Sequence, residues 1–555
     1  MNKDNIINSL IAQWKIYASQ NGLKWNHSFL QWNLPPAIKA DFALNLALPM
    51  VHKTNQSAKT IAEKILYLTK DNKYLQGEIT LQGYINFRLT DEYYYQFLKK
   101  IVIDDSFSGE KFGLSARSES SVLLEYVSAN PTGYLHLAHF RHAVIGNTLA
   151  NVYKFLGYQV IREYYINDRG GQITSLINSV YYFYHHLQGI SPSIELEKIE
   201  YAGKSSQETA QKLIKKWGNK YTNKKLSNEE FNVWKKEVLE LILAQICQDL
   251  EKCGIKFDNW FSETSLYEKN QHQELLAELK KKNLIYTQDG ATFFRSSLGG
   301  DDKDRVIIKQ DDDYTYFFSD IFYHLDKLKR ADKLINIMGA DHHGYISRIK
   351  SACQLLGYKP ENIQTVLVQI VNLLTREGQT ERFSKRAGNT IELEETLKHM
   401  EMDQLKFFLL EKETNQPLAI NIELLKENKE KTRLYYIQYA HARCHQLLMK
   451  AKDKKINLSH ENLNLTWDQE ERNILKNLLR FSFILQLIIE ENKPHHLIYY
   501  LGDLAQVFQT YYQKEIIIEV KDPLKTQQKL FLVQGVKEVL KTGLKLIGII
   551  APERM

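Results

Sequence analysis

The stretch from residue 121 to residue 166 constrains the fold more than any other part of this chain. Residues 121–127 form a short apolar run typical of a buried strand, and residues 130–133 (Asn-Pro-Thr-Gly) are typical of a turn. From residue 139 to residue 156 apolar residues recur on one helical face, and Gly157 is placed to end the helix. Residues 159–166 form a second strand pattern. This order predicts a βαβ unit and therefore a parallel sheet.

Two histidines, His136 and His139, lie at the turn of this unit. A helix N-terminus carries unpaired N–H groups and a partial positive charge, which together favour phosphate. Imidazoles at such a turn can hydrogen-bond the phosphate oxygens of a nucleotide as negative charge develops on them. Capping or partial burial of the two rings is an alternative that their spacing leaves open.

The composition limits the class of protein. The 555 residues suffice for roughly three or four domains, and the 43% hydrophobic content is ordinary for a globular protein. No apolar run approaches the ~20 residues of a membrane span, and the polar N-terminus lacks a signal-peptide pattern. The four cysteines form no Cys-x-x-Cys pair, so we expect reduced thiols in a cytoplasmic protein and no zinc site. The net charge of +7 permits a polyanionic partner without requiring one.

The residues at the turn resemble a known family. His136-Leu-Ala-His139 is similar to the His-x-x-His signature of class I aminoacyl-tRNA synthetases, and residues 125–130 followed by Pro-Thr-Gly resemble the arginyl-tRNA synthetases in particular. The resemblance implies an arginine–tRNA ligase that activates L-arginine with ATP. It would then transfer arginine to the terminal adenosine of its cognate tRNA, with release of AMP and pyrophosphate. The alternatives are another His-x-x-His nucleotidyltransferase and a non-catalytic tRNA-binding relative.

A pocket for arginine would need acidic and aromatic residues, and candidates lie further along the chain. A guanidinium is planar and permanently charged, so its pocket needs carboxylates that accept two hydrogen bonds and an aromatic wall. Tyr316 and Asp320 are four residues apart on a predicted helix, residues 315–325, so they share a face. A helix cap or an ordinary salt bridge is the alternative role of Asp320. By resemblance, the arginine-binding residues are Glu125, Asn130, Glu263, Tyr316 and Asp320.

A basic segment, Arg382-Phe-Ser-Lys-Arg386, follows a predicted strand at residues 365–374. It resembles the Lys-Met-Ser-Lys-Ser loop of class I synthetases, with arginine and phenylalanine in place of the first lysine and the methionine. Clustered cations on a loop can offset the charge of a leaving pyrophosphate; a solvated basic loop is the alternative. The resemblance implies catalytic roles for His136, His139 and Lys385, and ATP binding by Gly133, His136, His139, Gly339, His342, Arg382, Ser384 and Lys385.

We expect an α/β protein of three domains. A small α+β N-terminal domain, residues 1–112, contains segments that resemble the arginyl enzymes' domain for the tRNA elbow at the D-loop, Asp41-Phe-Ala43 and residues 83–87. A packing domain without RNA contact is the alternative. A Rossmann-like catalytic domain with a parallel sheet, residues 113–400, carries a helical insertion at about 174–255. An all-α domain, residues 401–555, resembles the anticodon-binding domain of the family.

The partners follow from the resemblance. It implies arginine-accepting tRNA, L-arginine and ATP with Mg²⁺, but no protein-bound metal, no DNA and no membrane. A monomer is expected. Between residues 426 and 447, lysines and arginines alternate with tyrosines, a pattern that suits single-stranded RNA because phosphates meet charge and bases stack. A solvated helical face with buried tyrosines is the alternative.

Overall fold

The predicted βαβ unit is the first part of a five-stranded parallel sheet. The computed structural model describes residues 6–35, 37–112, 114, 120–192, 199–222, 225–268, 271–374, 393–421, 429–456 and 466–555. The chain divides into two compact units. The sheet unit comprises residues 118–154 and 158–428, and the terminal unit comprises residues 1–117, 155–157 and 429–555.

The strands of the parallel sheet are β1 (Ser121–Glu125), β2 (Gln159–Ile166), β3 (Asn259–Ser262), β4 (Lys333–Gly339) and β5 (Ile363–Val368). Their spatial order is β3-β2-β1-β4-β5, and each neighbouring pair is parallel. Val122, Leu123 and Leu124 of β1 are fully buried, as expected for a central strand covered on both faces. The connections change direction between β1 and β4, and ligands of open α/β sheets bind beyond the carboxyl ends of strands at such a point.

Helices cover this sheet and separate its strands. The helix after β1 spans Leu137–Phe155, and Gly157, with φ of +88°, supplies the left-handed conformation that ends it. The predicted helical insertion between β2 and β3 is confirmed by helices Gly171–His186, Lys204–Trp217 and Asn228–Lys252. Further helices of the sheet unit span Gln271–Lys281, Tyr316–Arg330, His343–Leu355, Leu393–Leu397 and Met402–Glu411. A three-stranded antiparallel sheet comprises Ile285–Gln288, Ala291–Phe294 and Arg305–Ile308.

The single strand predicted at residues 365–374 was wrong, because two strands lie there. β5 ends at Val368, and Val371–Leu373 pairs in parallel with Leu418–Ile420 instead. At the break, the N–H of Gln369 donates to the carbonyl of Thr414 at 2.8 Å, and its own carbonyl accepts from Arg141 at 2.9 Å. These long-range bonds redirect the backbone although the sequence stays apolar on both sides.

The terminal unit combines both ends of the chain. An antiparallel sheet comprises Leu30–Gln31, Phe42–Leu44, Ile85–Leu89 and Leu75–Ile79 in spatial order. Its helices span Ile6–Gln20, Ala47–Thr54, Ala58–Tyr67, Asp91–Ile103, Arg433–Asp453, Gln469–Glu491, His495–Lys514 and Pro523–Leu546. In the part of the chain that the structure describes, no helix has the length and apolar character needed to cross a membrane. The boundaries of the three domains drawn from the sequence stay a prediction.

A buried arginine joins the two ends of the sequence inside the terminal unit. Arg472, on helix Gln469–Glu491, contacts Asp41 at 3.1 Å and donates to the carbonyl of Leu89 at 2.8 Å. It also forms an ion pair with Asp91. Arg472 and Asp41 are almost fully buried, so each charge depends on the other for its compensation.

We therefore expect Arg472→Met to destabilise the terminal unit by ~3–5 kcal/mol, because the Asp41 carboxylate would stay buried without its partner. Scanning calorimetry would measure the shift of the melting transition. The control is Lys514→Met, which removes the exposed ion pair between Lys514 and Glu470 and should cost no more than ~1 kcal/mol. Equal shifts in the two variants would contradict the importance assigned to Arg472.

Candidate active site

A cavity of about 140 Å³ lies at the point where the strand order reverses. Glu125, the last residue of β1, and Asn336 of β4 are direct partners in the sheet register, and both line the cavity. Asp320 enters from helix Tyr316–Arg330. The cavity is therefore at the carboxyl edge of the two central strands, where the topology predicts a ligand.

Three carboxylates from separate segments face one tyrosine, Tyr165 of β2. Burial raises the pKa of the Tyr165 hydroxyl, and Glu263, Asp320 and Glu125 raise it further. Glu263 is only 5% exposed and hydrogen-bonds the Tyr165 hydroxyl. The acidic residues predicted from widely separated positions thus converge on Tyr165, although Glu263 is not among the residues lining the cavity.

The pKa values of two carboxyl groups in this acidic cluster, those of Asp320 and Glu263, are raised. Burial raises the pKa of Asp320 to about 7, a hydrogen bond from Tyr345 opposes this rise, and Glu125 and Glu263 reinforce it. Burial also raises the pKa of Glu263, against the opposing charge of Arg169. Because these carboxylates repel one another in a partly dry site, a cation of the right shape would favour their ionised forms.

Glu125 is held firmly at the floor of the cavity. Its carboxylate accepts from the Lys327 ammonium at 2.7 Å and from the Ser128 hydroxyl at 3.0 Å. Val127 and Ser128 have φ values of +69° and +38°, conformations that cost energy for residues other than glycine and cluster at functional sites. The chain thus turns sharply just after β1 and brings the Ser128 side chain back to Glu125.

Besides Glu263, two of the predicted arginine-binding residues, Tyr316 and Asn130, do not line the cavity. Tyr316 is 69% exposed, and its hydroxyl lies close to the backbone of Gly170. Asn130 donates to the side chain of Gln172 at 2.9 Å. Their roles stay predictions.

The two signature histidines form one unit at the start of helix Leu137–Phe155. Their rings stack with centroids 3.6 Å apart and an interplanar angle of 20°. The backbone N–H of each residue points at Nδ1 of the other at 3.5 Å. In the neutral tautomer that accepts these N–H groups at Nδ1, each ring carries its proton on Nε2, which is then a hydrogen-bond donor. Such donors suit phosphate oxygens.

The structure describes the remaining predicted ATP-binding residues only in part. Gly133 lies in the turn before the histidines, where an added Cβ would contact the Ser205 hydroxyl at 3.5 Å. Gly339 ends β4 opposite Val368. The side chain of His342 and all of Arg382, Ser384 and Lys385 lie outside the described residues. Within the described ranges, no group of three or more His, Cys, Asp or Glu side chains is placed to hold a metal ion.

Several pocket residues were not found from the sequence: Tyr165, Tyr323, His324, Lys327, Asn336 and Tyr345. A signal existed for Tyr323, His324 and Lys327, which follow Asp320 by three, four and seven residues and therefore share its helical face. The others lie on separate strands and another helix, so local patterns could not identify them.

Comparison with protein families gives three matches along the chain. The model of the arginyl tRNA synthetase N terminal domain matches residues 21–89. The model of the class I (R) tRNA synthetase catalytic domain matches residues 102–447, and that of the DALR anticodon binding domain matches residues 437–555.

Individual relatives agree with these matches. An arginine–tRNA ligase from Listeria welshimeri is 36% identical over 520 residues, covering 93% of this chain and 92% of that protein. One from Aquifex aeolicus is 37% identical over 557 residues, covering 93% and 94%. The solved arginyl-tRNA synthetase of Thermus thermophilus has a TM-score of 0.73 and covers 99% of each chain at 20% identity, which shows a shared fold. With a catalytic model that matches more than half its length and relatives this similar over nearly all of it, the chain belongs to the arginyl-tRNA synthetase family.

Proposed function

We propose that the chain activates L-arginine with ATP to arginyl-adenylate, releases pyrophosphate, and transfers arginine to the terminal adenosine of arginine-accepting tRNA. The chain is thus an arginine–tRNA ligase. The observation that supports this function best is the convergence of Glu125, Glu263 and Asp320 around Tyr165, beside the strand that leads to the two histidines. A carboxylate cluster of this kind suits a guanidinium.

Arginine would bind with its guanidinium toward Asp320. That carboxylate already accepts a hydrogen bond from Tyr345, which orients it and leaves acceptor positions for the substrate. Glu263 would add negative charge next to Tyr165, and Tyr316 would close the pocket as an aromatic wall. Glu125 and Asn130 would contact the ammonium and carboxylate end. A neutral amino acid would leave the buried carboxylates unpaired, so the pocket would reject it.

ATP would bind at the turn before helix Leu137–Phe155. The Nε2–H groups of His136 and His139 would donate to its phosphates and stabilise the charge that builds up during attack by the arginine carboxylate. Gly133, Gly339 and His342 would line the nucleotide site, and Arg382, Ser384 and Lys385 would contact the leaving pyrophosphate. Mg²⁺ would arrive with ATP and need no dedicated protein cage, and no zinc is proposed.

The tRNA would contact the terminal unit. On helix Arg433–Asp453, the Arg443 guanidinium lies 4.4 Å from the ring centre of Tyr439 and 4.3 Å from that of Tyr512. Tyr435 and Tyr439 are stacked, with centroids 6.1 Å apart. Rings and a cation in this arrangement suit splayed bases of an anticodon loop. Residues 401–555 would bind the anticodon arm and residues 1–112 the tRNA elbow, with residues 113–400 as the catalytic domain. We propose a cytoplasmic monomer that does not act on DNA.

Arginine-dependent ATP–pyrophosphate exchange, with and without tRNA, tests this function. Exchange with arginine and transfer of labelled arginine to tRNA are the expected results. Exchange with a different amino acid would indicate another nucleotidyltransferase. No exchange in either condition would indicate a non-catalytic tRNA-binding relative.

The acidity of Asp320 predicts a pH-dependent KM for arginine. A carboxyl whose pKa is about 7 in the free protein is largely protonated below neutral pH, and arginine must displace that proton. The KM should therefore rise roughly tenfold for each pH unit below 7 and level off above it. Initial-rate kinetics from pH 5.5 to 8.5 would measure this. A KM that stays constant between pH 6 and pH 8 would contradict the assignment.

The raised pKa of Asp320 also makes the stability of the folded protein depend on pH. Because folding raises the pKa of Asp320, its contribution to stability is full below the ordinary value of 3.8 and is lost as pH rises through about 7. Arginine should restore this loss, so its effect on the melting temperature should be larger at pH 8 than at pH 6.

A further inference from the structure

Lys327 is a buried cation below the floor of the amino-acid cavity. It is 0% exposed and lies on helix Tyr316–Arg330, two turns after Asp320. Its ammonium donates to Glu125 at 2.7 Å and to Asn336 Oδ1 at 2.8 Å. The same ammonium lies 4.2 Å from the ring centre of Tyr323. Burying an ammonium is costly unless its hydrogen bonds are satisfied, so this arrangement is specific.

The neighbouring hydrogen bonds have a defined direction. His324 Nδ1 lies 2.8 Å from the carbonyl of Asp320, which can only accept, so Nδ1 carries the proton. His324 Nε2 must then accept from the Asn336 amide at 3.0 Å, which leaves Asn336 Oδ1 facing Lys327. Burial and the charge of Lys327 both lower the pKa of His324 well below its ordinary value. The imidazole thus stays neutral, and Lys327 is the cation of this network.

These contacts connect the two ends of the pocket. Lys327 donates to Glu125 on one side, and through Asn336 and His324 the donors continue to the backbone of Asp320 on the other. A carboxylate such as Glu125 that is paired within the protein can accept from a substrate ammonium without adding an uncompensated charge. The charge of Arg169 opposes that of Glu263, and the charge of Lys327 also reaches Asp320.

We infer that Lys327 is a positioning residue for arginine recognition, an inference that rests on the function proposed above. Its buried ammonium holds Glu125 at the pocket floor and balances the carboxylate cluster until the cations of the substrate arrive. The groups that face the Asp320 carboxyl come from several elements. They are Glu125 of β1, Glu263 of the segment after β3, Tyr345 of helix His343–Leu355, and Lys327 of the helix that carries Asp320. The charge of Lys327 opposes the rise in the pKa of Asp320 that burial, Glu125 and Glu263 cause.

The test is Lys327→Met in the full-length chain, with arginine-dependent exchange measured across the pH range. The KM for arginine at pH 7 should rise roughly tenfold to a hundredfold, the range for a lost hydrogen bond to a charged group. The KM for ATP should stay within about twofold. The rise of the arginine KM on acidification should also begin at a higher pH than in the wild type, because Asp320 keeps its acidic neighbours and loses the nearby cation. Lys329→Met, at an exposed position on the same helix, should change none of these.

A second variant covers the case in which Lys327→Met does not fold. Glu125→Gln combined with Lys327→Met removes both charges of the buried pair, so it should fold. Its arginine KM should stay raised, but the pH at which the rise begins should return to the wild-type value. An unshifted pH profile in Lys327→Met, equal increases in both KM values, or a double variant that keeps the shifted profile would each overturn the inference. Wild-type protein without arginine-dependent exchange would overturn the proposed function as well.

Discussion

Replacing Asp320 with alanine should raise the KM for arginine by roughly two to three and a half orders of magnitude. Loss of one partner of a buried ion pair costs ~3–5 kcal/mol, and each 1.4 kcal/mol corresponds to about a tenfold change. The KM for ATP should change by less than about twofold. The proposed ATP-binding histidines, His136 and His139, lie at the start of helix Leu137–Phe155, whereas Asp320 lies on helix Tyr316–Arg330. The assay belongs at pH 8, where Asp320, with its pKa of about 7, is ionised in the wild type.

A control separates this loss from unfolding. The raised pKa of Asp320 means that its ionised form destabilises the folded state. Without arginine at pH 8, the Asp320→Ala variant should therefore melt no lower than the wild type. Asp326→Ala, which removes an ion pair with Arg330 on the same helix, should leave both KM values unchanged. If Asp320→Ala raised the KM values for arginine and ATP equally, Asp320 would not be in the amino-acid pocket.

His139→Ala should slow arginyl-adenylate formation by roughly a hundredfold to a thousandfold, the usual effect of removing one donor that stabilises transition-state charge. The KM for arginine should change little, because the carboxylates proposed to bind arginine lie outside this turn. Rapid-quench measurement of adenylate formation would separate this step from tRNA charging. His142→Ala, one turn further along the same helix, is the matched control.

The stacking of the two rings adds a second expectation. Because His136 and His139 contact each other and each receives a backbone N–H of the other, their replacements should not be additive. The His136→Ala, His139→Ala double variant should lose less activity than the product of the single losses. An unchanged adenylation rate in His139→Ala would exclude the role assigned to that residue.

Local patterns predicted much of the fold. The strand–turn–helix–strand unit was recognisable because an apolar run, turn residues, a helical face and Gly157 follow one another within the chain. Where backbone pairing was decided at long range, the prediction was wrong: residues 365–374 form two strands because Arg141 and Thr414 take the hydrogen-bonding groups of Gln369.

The residues of the candidate site likewise include some that local sequence could identify and others that depend on the tertiary structure. His136 and His139 could be identified from their spacing and from resemblance, since both lie in one turn. Glu263 and Asp320 were named by resemblance to a family, and their approach to Tyr165 could only come from the strand order β3-β2-β1-β4-β5. Lys327 was missed because a lysine in an amphipathic helix is usually solvated.

By itself, the sequence determined the strand–turn–helix–strand unit, the signature turn and the family to which it is similar, because these depend on residues close together in the chain. Only the tertiary structure decided that Lys327 neutralises Glu125, that Asp320 has a pKa of about 7, and that both ends of the chain share one unit around Arg472. Charge, burial and hydrogen bonding depend on which groups become neighbours. That arrangement is set by the packing of the whole chain.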